Sequence, residues 1–469
     1  MTATIELRLP VGCGERLQAT IYSGGRHEHV AFGLVGHARL GANDVLLVRD
    51  VIPLAENEYQ EVPGHGASWS GTTTRRIAER AQAEGLGVLI FHAHDHHGPT
   101  CLSRDDQESA ERLLPFFQRR VPGRPHASIV LSKDHAAGVI MTPNSQRPAA
   151  VDVRVRWYGQ AITDWPTRHP GPRRRAERYQ RQEVVVGQQG QEALFRATVA
   201  VVGLGGGGSH VVQQLAHLGI GHLVLVDDDR ASMDNQHRLI GMTRLDGILR
   251  RRKTSIQRRQ AQRINPDTTV TIVNKRLPEA EAVAAVLTAD VIIGCLDNLD
   301  ARVDLQHLAI RYLIPYIDIG LKIRPRTATN PTEALVVIAG NVFTYRPGAP
   351  CMWCTGFLSQ EKLAEDRGHP DRAYATTSVG RPAEAQVVSM NGVLASQAVN
   401  EALQLLAGFA GTGITIPSIT KPHDEGGALV GYRKLDGITG TLDEWGLQPQ
   451  PNCQHCNDDL ARGQLVWRP

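Results

Sequence analysis

The chain has 469 residues, a span suited to two or three domains, with 51 Lys and Arg against 48 Asp and Glu. That near-balance speaks against a nucleic-acid-coating protein, and the lack of any apolar run near 18 residues speaks against a membrane span. Seven cysteines are too few for a disulfide scaffold in so long a chain, but four form two Cys-x-x-Cys pairs, which point to metal in a reducing, cytoplasmic compartment. The opening MTATIELRLPVGCGERL holds no continuous apolar stretch and is expected not to be a signal peptide.

Residues 1–160 read as an α+β domain. Apolar runs at Val45–Val51, Val88–His92, Ser128–Leu131 and Val151–Trp157 are expected strands. Helical patterns cover Thr72–Gln82 and Asp105–Arg119, the second with Leu113, Leu114, Phe116 and Phe117 on its apolar face. Between the second strand and the second helix lies VLIFHAHDHHGPTCLSRDD. His92-x-His94 sets two imidazoles on one side of an extended chain, and Ser103-x-x-Asp106 follows at a turn into a helix. Two histidines, one carboxylate and an open position make a catalytic zinc site; the bland alternative is a surface histidine cluster, and His94-x-His96 is a rival register.

The segment resembles the JAMM motif of the JAB/MPN metalloproteases, which cut peptide or isopeptide bonds after ubiquitin-like C-termini. The resemblance implies zinc held by His92, His94 and Asp106, with Ser103 helping to hold the oxyanion and Asp105 left to cap or face solvent. It also implies a general-base glutamate ahead of a Gly-Leu-x-Gly-like run. Here the run is Gly33–Gly36 and the nearest upstream acid is Glu28. The gap from His94 to Ser103 is one residue longer than the commonest form.

Residues 161–177 have linker composition, and Arg173–Arg175 reads as a solvated connector. From Thr198 the pattern becomes strand–helix–strand: TVAVVGLG, a helix over Val211–Leu218, HLVLVDDD, then TVTIVNKRL, DVIIGCLDN and YIDIG, with a late helix over 388–408. This is the signature of a doubly wound parallel sheet. Gly203-x-Gly205-x-x-Gly208 follows a strand and opens a helix, where backbone amides face a phosphate. Asp227 ends the next strand, the place for a ribose hydroxyl. Taken alone, these features describe a dinucleotide-binding domain.

The surrounding residues are more specific. Arg178-Tyr179-x-Arg181-Gln182 stands ahead of the loop; Asp229, Asn235-x-x-Arg238, Lys253, Asn265-Pro266, Cys295-Leu296-Asp297-Asn298 and Arg302 follow it. Over residues 178–469 the chain resembles the ThiF/MoeB/HesA family of the ubiquitin-activating-enzyme superfold. That resemblance implies a Rossmann-like domain that adenylates the C-terminal glycine of a ubiquitin-like protein with ATP and magnesium. It implies Asp227 on the ribose, Asp229 in the nucleotide site, Arg238 and Lys253 on the phosphates, and Asp297 on magnesium with Asn235 nearby. Arg181 would reach into the site of a homodimeric partner. The bland alternative for Lys253 is a solvated helix face within Arg250–Lys253, and for Asp229 a turn cap.

Cys351-x-x-Cys354 and Cys453-x-x-Cys456 supply four thiolates, the ligand set of a structural zinc, which ThiF-like enzymes carry in such a split site; a redox pair is the alternative. Many activating enzymes form a thioester on a cysteine in the crossover loop, but Thr355–Gly392 has none. Cys295 reads as a small buried apolar residue. Thr376, Thr377 or Ser378 could carry an oxyester instead. The expected protein is a bacterial fusion of a JAB/MPN protease with a ThiF-like adenylyltransferase, partnered by a ubiquitin-like protein and a conjugating enzyme. A sulfur-carrier adenylyltransferase, or a scaffold with a dead JAMM site, are the alternatives.

Overall fold

A computed structural model describes the chain except residues 1–3, 24–27, 41–42, 61–66, 169–176, 326–335, 369–385, 409–429, 437–440, 447–452, 459 and 464–469. It divides into two compact units. The first comprises Met1–Pro172 with Ile310–Leu313 and Asp459–Pro469; the second comprises Arg173–Ala309 and Ile314–Asp458.

The first unit runs β1 (Thr4–Leu9), α1 (Val11–Ile21), β2 (Ala31–Leu40), β3 (Asn43–Pro53), α2 (Gly71–Glu84), β4 (Gly87–Ala93), α3 (Arg104–Arg120), β5 (His126–Leu131), β6 (Ala136–Met141), β7 (Ala149–Tyr158) and β8 (Ile162–Pro166). Its sheet has the order β1-β3-β2-β4-β5-β6-β7-β8, and β1 also pairs with β7, so the strands close on themselves. Alternation along β4 assigns its faces. Leu89 and Phe91 join the core that takes Leu17 and Ile21 of α1. Val88 and Ile90 join the core under Ile77 and Ala78 of α2 and Phe117 of α3. His92 has the parity of Val88 and Ile90, so it points to the side covered by α3.

The stretch expected as pure connector is in part a strand. Within β8, Trp165 is buried and Asp164 meets Arg154 at 2.7 Å and Arg156 at 3.0 Å across the β7–β8 pair. Arg173–Arg175, expected as a solvated connector, lie outside the described residues.

The second unit runs α4 (Gln180–Arg196), β9 (Thr198–Val202), α5 (Gly206–Leu218), β10 (His222–Val226), α6 (Arg244–Ile248), α7 (Lys253–Ile264), β11 (Thr269–Val273), α8 (Ala280–Val286), β12 (Val291–Gly294), α9 (Leu299–Tyr312), β13 (Tyr316–Pro325), β14 (Val336–Tyr345), α10 (Gln360–Gly368), α11 (Val388–Ala407), β15 (Val430–Asp436), β16 (Leu442–Gly446) and α12 (Gln454–Asp458). Strand order is β11-β10-β9-β12-β13-β14-β15-β16. The first five are parallel and the rest antiparallel. The order reverses between β9 and β12, and at such a switch point a crevice opens beyond the carboxyl ends of the strands. Among the described residues no helix is long and apolar enough to cross a membrane.

Candidate functional site

In the second unit the glycine loop sits at the switch point. Gly203 has φ +87°, and a Cβ there would meet the Cys295 carbonyl oxygen at 2.5 Å; a Cβ on Gly208 would meet the Gly203 carbonyl at 2.0 Å. The first glycine allows the turn and the third lets α5 pack against its own entry loop. Gly205 caps α5, and the space beside it is open.

Asp227 follows β10 and ties this loop to the next turn. Its Oδ2 accepts from the Leu204 amide at 2.6 Å and its Oδ1 from the Asp229 amide at 2.8 Å. Burial pushes its pKa up, against the pull of Lys253. Lys253 opens α7, and its Nζ lies 2.6 Å from Asp229 Oδ2 with the side chain only 14% exposed. Burial opposes its charge, but Asp227, Asp229 and Asp297 outweigh that and hold its pKa above the ordinary lysine value. Lys253 is therefore not a solvated helix-face lysine; it is a mostly enclosed cation paired with Asp229, in the field of Asp227 and Asp297. Asp229 does more than cap a turn.

The other expected nucleotide residues differ. Asp297 is exposed beyond β12, with Asn298 Nδ2 3.2 Å from its Oδ1. Arg238 is half-buried and donates to the Asp234 carbonyl at 3.3 Å. Asn235 is buried, and its Oδ1 accepts from the Ser232 amide at 3.2 Å, so its side chain is engaged in a local cap. Arg181 is exposed on the first turn of α4. Its motif neighbours have structural partners. Arg178 donates to Asn265 and Asp267, and Asn265 Nδ2 donates to the buried Tyr179 hydroxyl. Gln182 donates to the Leu218 carbonyl.

The sequence reading missed Asp228, whose carboxylate comes within 4.8 Å of ligand oxygens of Asp227 and Asp229 and lies 3.0 Å from Arg276. It also missed Asp318, a fully buried acid inside β13. A charged residue within the apolar run YIDIG was the available signal.

The four cysteines converge. Cys351 Sγ lies 3.7 Å from Cys354 and 3.9 Å from Cys453, and Cys354 lies 3.4 Å from Cys456. Tetrahedral zinc with Zn–S of about 2.3 Å spaces its sulfurs by about 3.8 Å, so this donor set fits zinc. The Trp353 ring stacks on His455 at 4.2 Å, joining the two knuckles from outside. Cys351→Ser is expected to remove one zinc per chain and lower Tm by several degrees, at about 2–4 °C per kcal/mol for a domain of this size; elemental analysis and calorimetry check both. Cys295 is different: burial pushes its thiol far up, which makes it inert. Thr376, Thr377 and Ser378 lie outside the described residues.

In the first unit, His92, His94 and Asp106 come together, with one ligand atom from each within 4.8 Å of the others. His96 stands apart, exposed, its ring 6.0 Å from His94 and its Nδ1 3.1 Å from the His97 carbonyl. His92 is buried, and its Nε2 lies 3.3 Å from Asp106 Oδ2 without a directed hydrogen bond. A buried nitrogen without a hydrogen bond, facing a carboxylate, suits a pair of ligands to a cation. Thr100 Oγ1 meets His94 Nδ1 at 3.1 Å, leaving Nε2 for a ligand bond. Burial, with His92 adding to it, lowers the His94 pKa and favours the neutral ring that binds metal.

Ser103 is the N-cap of α3. Its amide and hydroxyl donate to Asp106 Oδ2 at 2.8 and 2.7 Å, and the Asp106 amide donates back to the hydroxyl at 3.2 Å. Burial raises the Asp106 pKa, but His92 and Ser103 together hold it well below the usual carboxylate range. Ser103 thus orients the acid. Glu28 lies three residues ahead of β2. Glu28 is exposed there, beyond the last pair of the β2–β4 ladder, Ala31 with Phe91. Its charge helps to stabilise a charged His94 ring.

The ThiF family profile matches residues 179–455. Molybdopterin-synthase adenylyltransferase of Escherichia coli (strain K12) is 31% identical over 281 residues, 60% of this chain and 95% of that protein. Sulfur carrier protein ThiS adenylyltransferase of the same organism is 30% identical over 236 residues, 50% of this chain and 82% of that protein. The crystal structure of E. coli MccB with ATP aligns at a TM-score of 0.45 and 20% identity over 61% of this chain and 76% of that one. The glycine loop, the charged cluster at the strand ends and the match over residues 179–455 agree: the chain belongs to the ThiF family and contains a ThiF/MoeB-type adenylyltransferase domain.

Proposed function

We propose that the second unit adenylates the C-terminal glycine of a ubiquitin-like or sulfur-carrier-type protein. The observation that carries this reading is Lys253, a largely enclosed cation 2.6 Å from Asp229 Oδ2, whose charge Asp227, Asp229 and Asp297 sustain at the switch point. A carboxylate attacking the α-phosphate of ATP expels pyrophosphate, and negative charge grows on the phosphates as it does so. Gly203, Gly205 and Gly208 shape the loop and helix end that receive those phosphates. Lys253 and Arg238 supply positive charge to them, and Asp227 accepts from the ribose. Asp297 would hold magnesium, with Asn235 shaping the turn nearby. Magnesium, when bound, neutralises phosphate charge.

The same reading makes the chain a homodimer in which Arg181 serves the partner's site. Val184 is 86% and Val185 61% exposed beside Arg181, and Leu245, Ile248 and Leu249 are more than half exposed on and just after α6. Clusters of exposed apolar residues mark association surfaces.

In the first unit, His92, His94 and Asp106 would hold a catalytic zinc in a JAB/MPN-type protease that cuts after a ubiquitin-like C-terminus. Zinc, when bound, supplies Lewis acidity at the scissile carbonyl. Glu28 would take and return the proton; Ser103, besides orienting Asp106, would help to hold the oxyanion. Trimming a precursor would expose the glycine that the second unit activates, and a conjugating enzyme would then receive the activated chain. A specific observation favours the second reading, sulfur-carrier activation: the relatives named above are adenylyltransferases of molybdopterin synthase and of ThiS. Release of the adenylate without a covalent enzyme ester suits a crossover loop that has no cysteine.

ATP–pyrophosphate exchange in the presence of candidate carrier proteins tests the shared core of both readings. Exchange is expected only with carriers ending in an intact glycine. Exchange that is indifferent to loss of that glycine would refute it.

A further inference from the structure

Asp318 is fully buried near the start of β13. A carboxylate there costs several kcal/mol of desolvation, and apolar residues of similar size would fill the space without it. Its surroundings show what the charge is tied to. The Tyr316 hydroxyl donates to Asp318 Oδ1 at 2.7 Å, and Arg302 Nη1 lies 3.5 Å from Asp318 Oδ2. From the same guanidinium, Nη2 donates to the Leu296 carbonyl at 2.7 Å and, at 3.4 Å, to the Ile319 carbonyl. The Phe357 ring lies over it at 5.7 Å. Gly320 leaves room for it, since a Cβ there would stand 2.5 Å from Nη2. Arg302 therefore bridges the segment just after β12 to residues 318 and 319 of the neighbouring parallel strand β13. The carbonyl it holds most tightly belongs to Leu296, the residue before Asp297.

We infer that Arg302, ion-paired with Asp318, which Tyr316 in turn holds, is a positioning residue that fixes the Leu296–Asp297 backbone and so aims the Asp297 carboxylate at the divalent cation of the nucleotide. This rests on the assignment of Asp297 to that cation. Arg302 is itself buried, so it acts through that backbone. A guanidinium suits the task because its planar fork serves a carboxylate and two carbonyls at once, which a lysine ammonium on a flexible stem does poorly. Groups that orient a metal ligand are worth about 10–100-fold in metal affinity.

The test is calorimetric titration of ATP into the full chain, in EDTA and across a magnesium series. ATP binding to the unaltered chain is expected to tighten as magnesium rises. Arg302→Gln, and Arg302→Gln with Asp318→Asn, which leaves no unpaired buried carboxylate, are expected to need about tenfold more magnesium for the same tightening. Their affinity in EDTA is expected to stay unchanged, and Arg302→Lys should recover part of the loss. A merely structural role would weaken ATP equally with and without magnesium, together with a lower Tm, and that result would overturn the inference. Asp297→Ala separates the two levels. If it keeps the full magnesium effect, the assignment of Asp297 falls. If it loses the effect while both Arg302 variants keep it, only the positioning role falls.

Discussion

Lys253→Ala is expected to lower carrier-dependent pyrophosphate exchange by about 10²–10³-fold, or roughly 3–4 kcal/mol of transition-state stabilisation. The size follows from where the charge sits. The Lys253 side chain is 14% exposed, so solvent screens it weakly, and its charge is sustained by Asp227, Asp229 and Asp297. Its removal leaves these acids facing incoming triphosphate with Arg276 to offset them only in part, which repels the substrate and leaves the developing charge poorly compensated. Lys253→Arg is expected to rescue only partly, because the site holds a compact ammonium 2.6 Å from Asp229 Oδ2 and a guanidinium is broader. Asp297→Ala should abolish exchange while leaving Tm within about 2 °C, since Asp297 is exposed and its recorded hydrogen bond is to neighbouring Asn298. Initial-rate exchange assays beside calorimetric melting measure both. Full exchange by either alanine variant would remove the adenylation mechanism proposed for this cluster.

The second large effect concerns the first unit. The purified chain is expected to contain two zinc ions, and His92→Ala with His94→Ala is expected to contain one. Cleavage of ubiquitin-like fusions should disappear in that variant, while pyrophosphate exchange persists. The orphaned Nε2 of His92 and the carboxylate 3.3 Å away predict the loss. The remaining zinc belongs to the four cysteines. Ser103→Ala supplies a graded control, since it removes the hydroxyl bond to Asp106 and the α3 cap without touching a ligand atom; weaker zinc binding and a loss of about 1 kcal/mol in stability are expected. One zinc per chain, unchanged in the double variant, would reduce this cluster to a buried histidine pair and take the protease reading with it.

The parts of this architecture that were legible in the sequence are those that leave a local trace. TVAVV and HLVLV are unbroken apolar runs because strands covered on both faces have no polar side to show. The glycine spacing and the two Cys-x-x-Cys pairs are equally local. His92 and Asp106 could be paired in advance because a strand end and a helix cap have fixed side-chain directions. What escaped was long-range or self-compensating. The β1–β7 pairing joins residues nearly 150 apart, and no local pattern encodes it. β8 is hidden by the prolines and the basic run that follow it, and Asp164 finds Arg154 and Arg156 only once β7 lies beside it. Asp318 hides in an apolar run because its partner comes from a helix sixteen residues upstream. Lys253 sits in a basic run typical of a wet surface, and only the fold turns it inward.

The strand order of the second unit also bears on how it is made. Val199 of β9 pairs with Val291 of β12, 92 residues later in the chain (291 − 199 = 92). At about 5–20 residues per second of synthesis, one edge of β9 waits roughly 5–20 s on the ribosome for its neighbour. Throughout that wait the sequence Thr198–Val202 offers unpaired backbone amides and valine side chains to any passing strand. The central strand that ends at the nucleotide loop is thus the segment for which a nascent-chain chaperone would matter most.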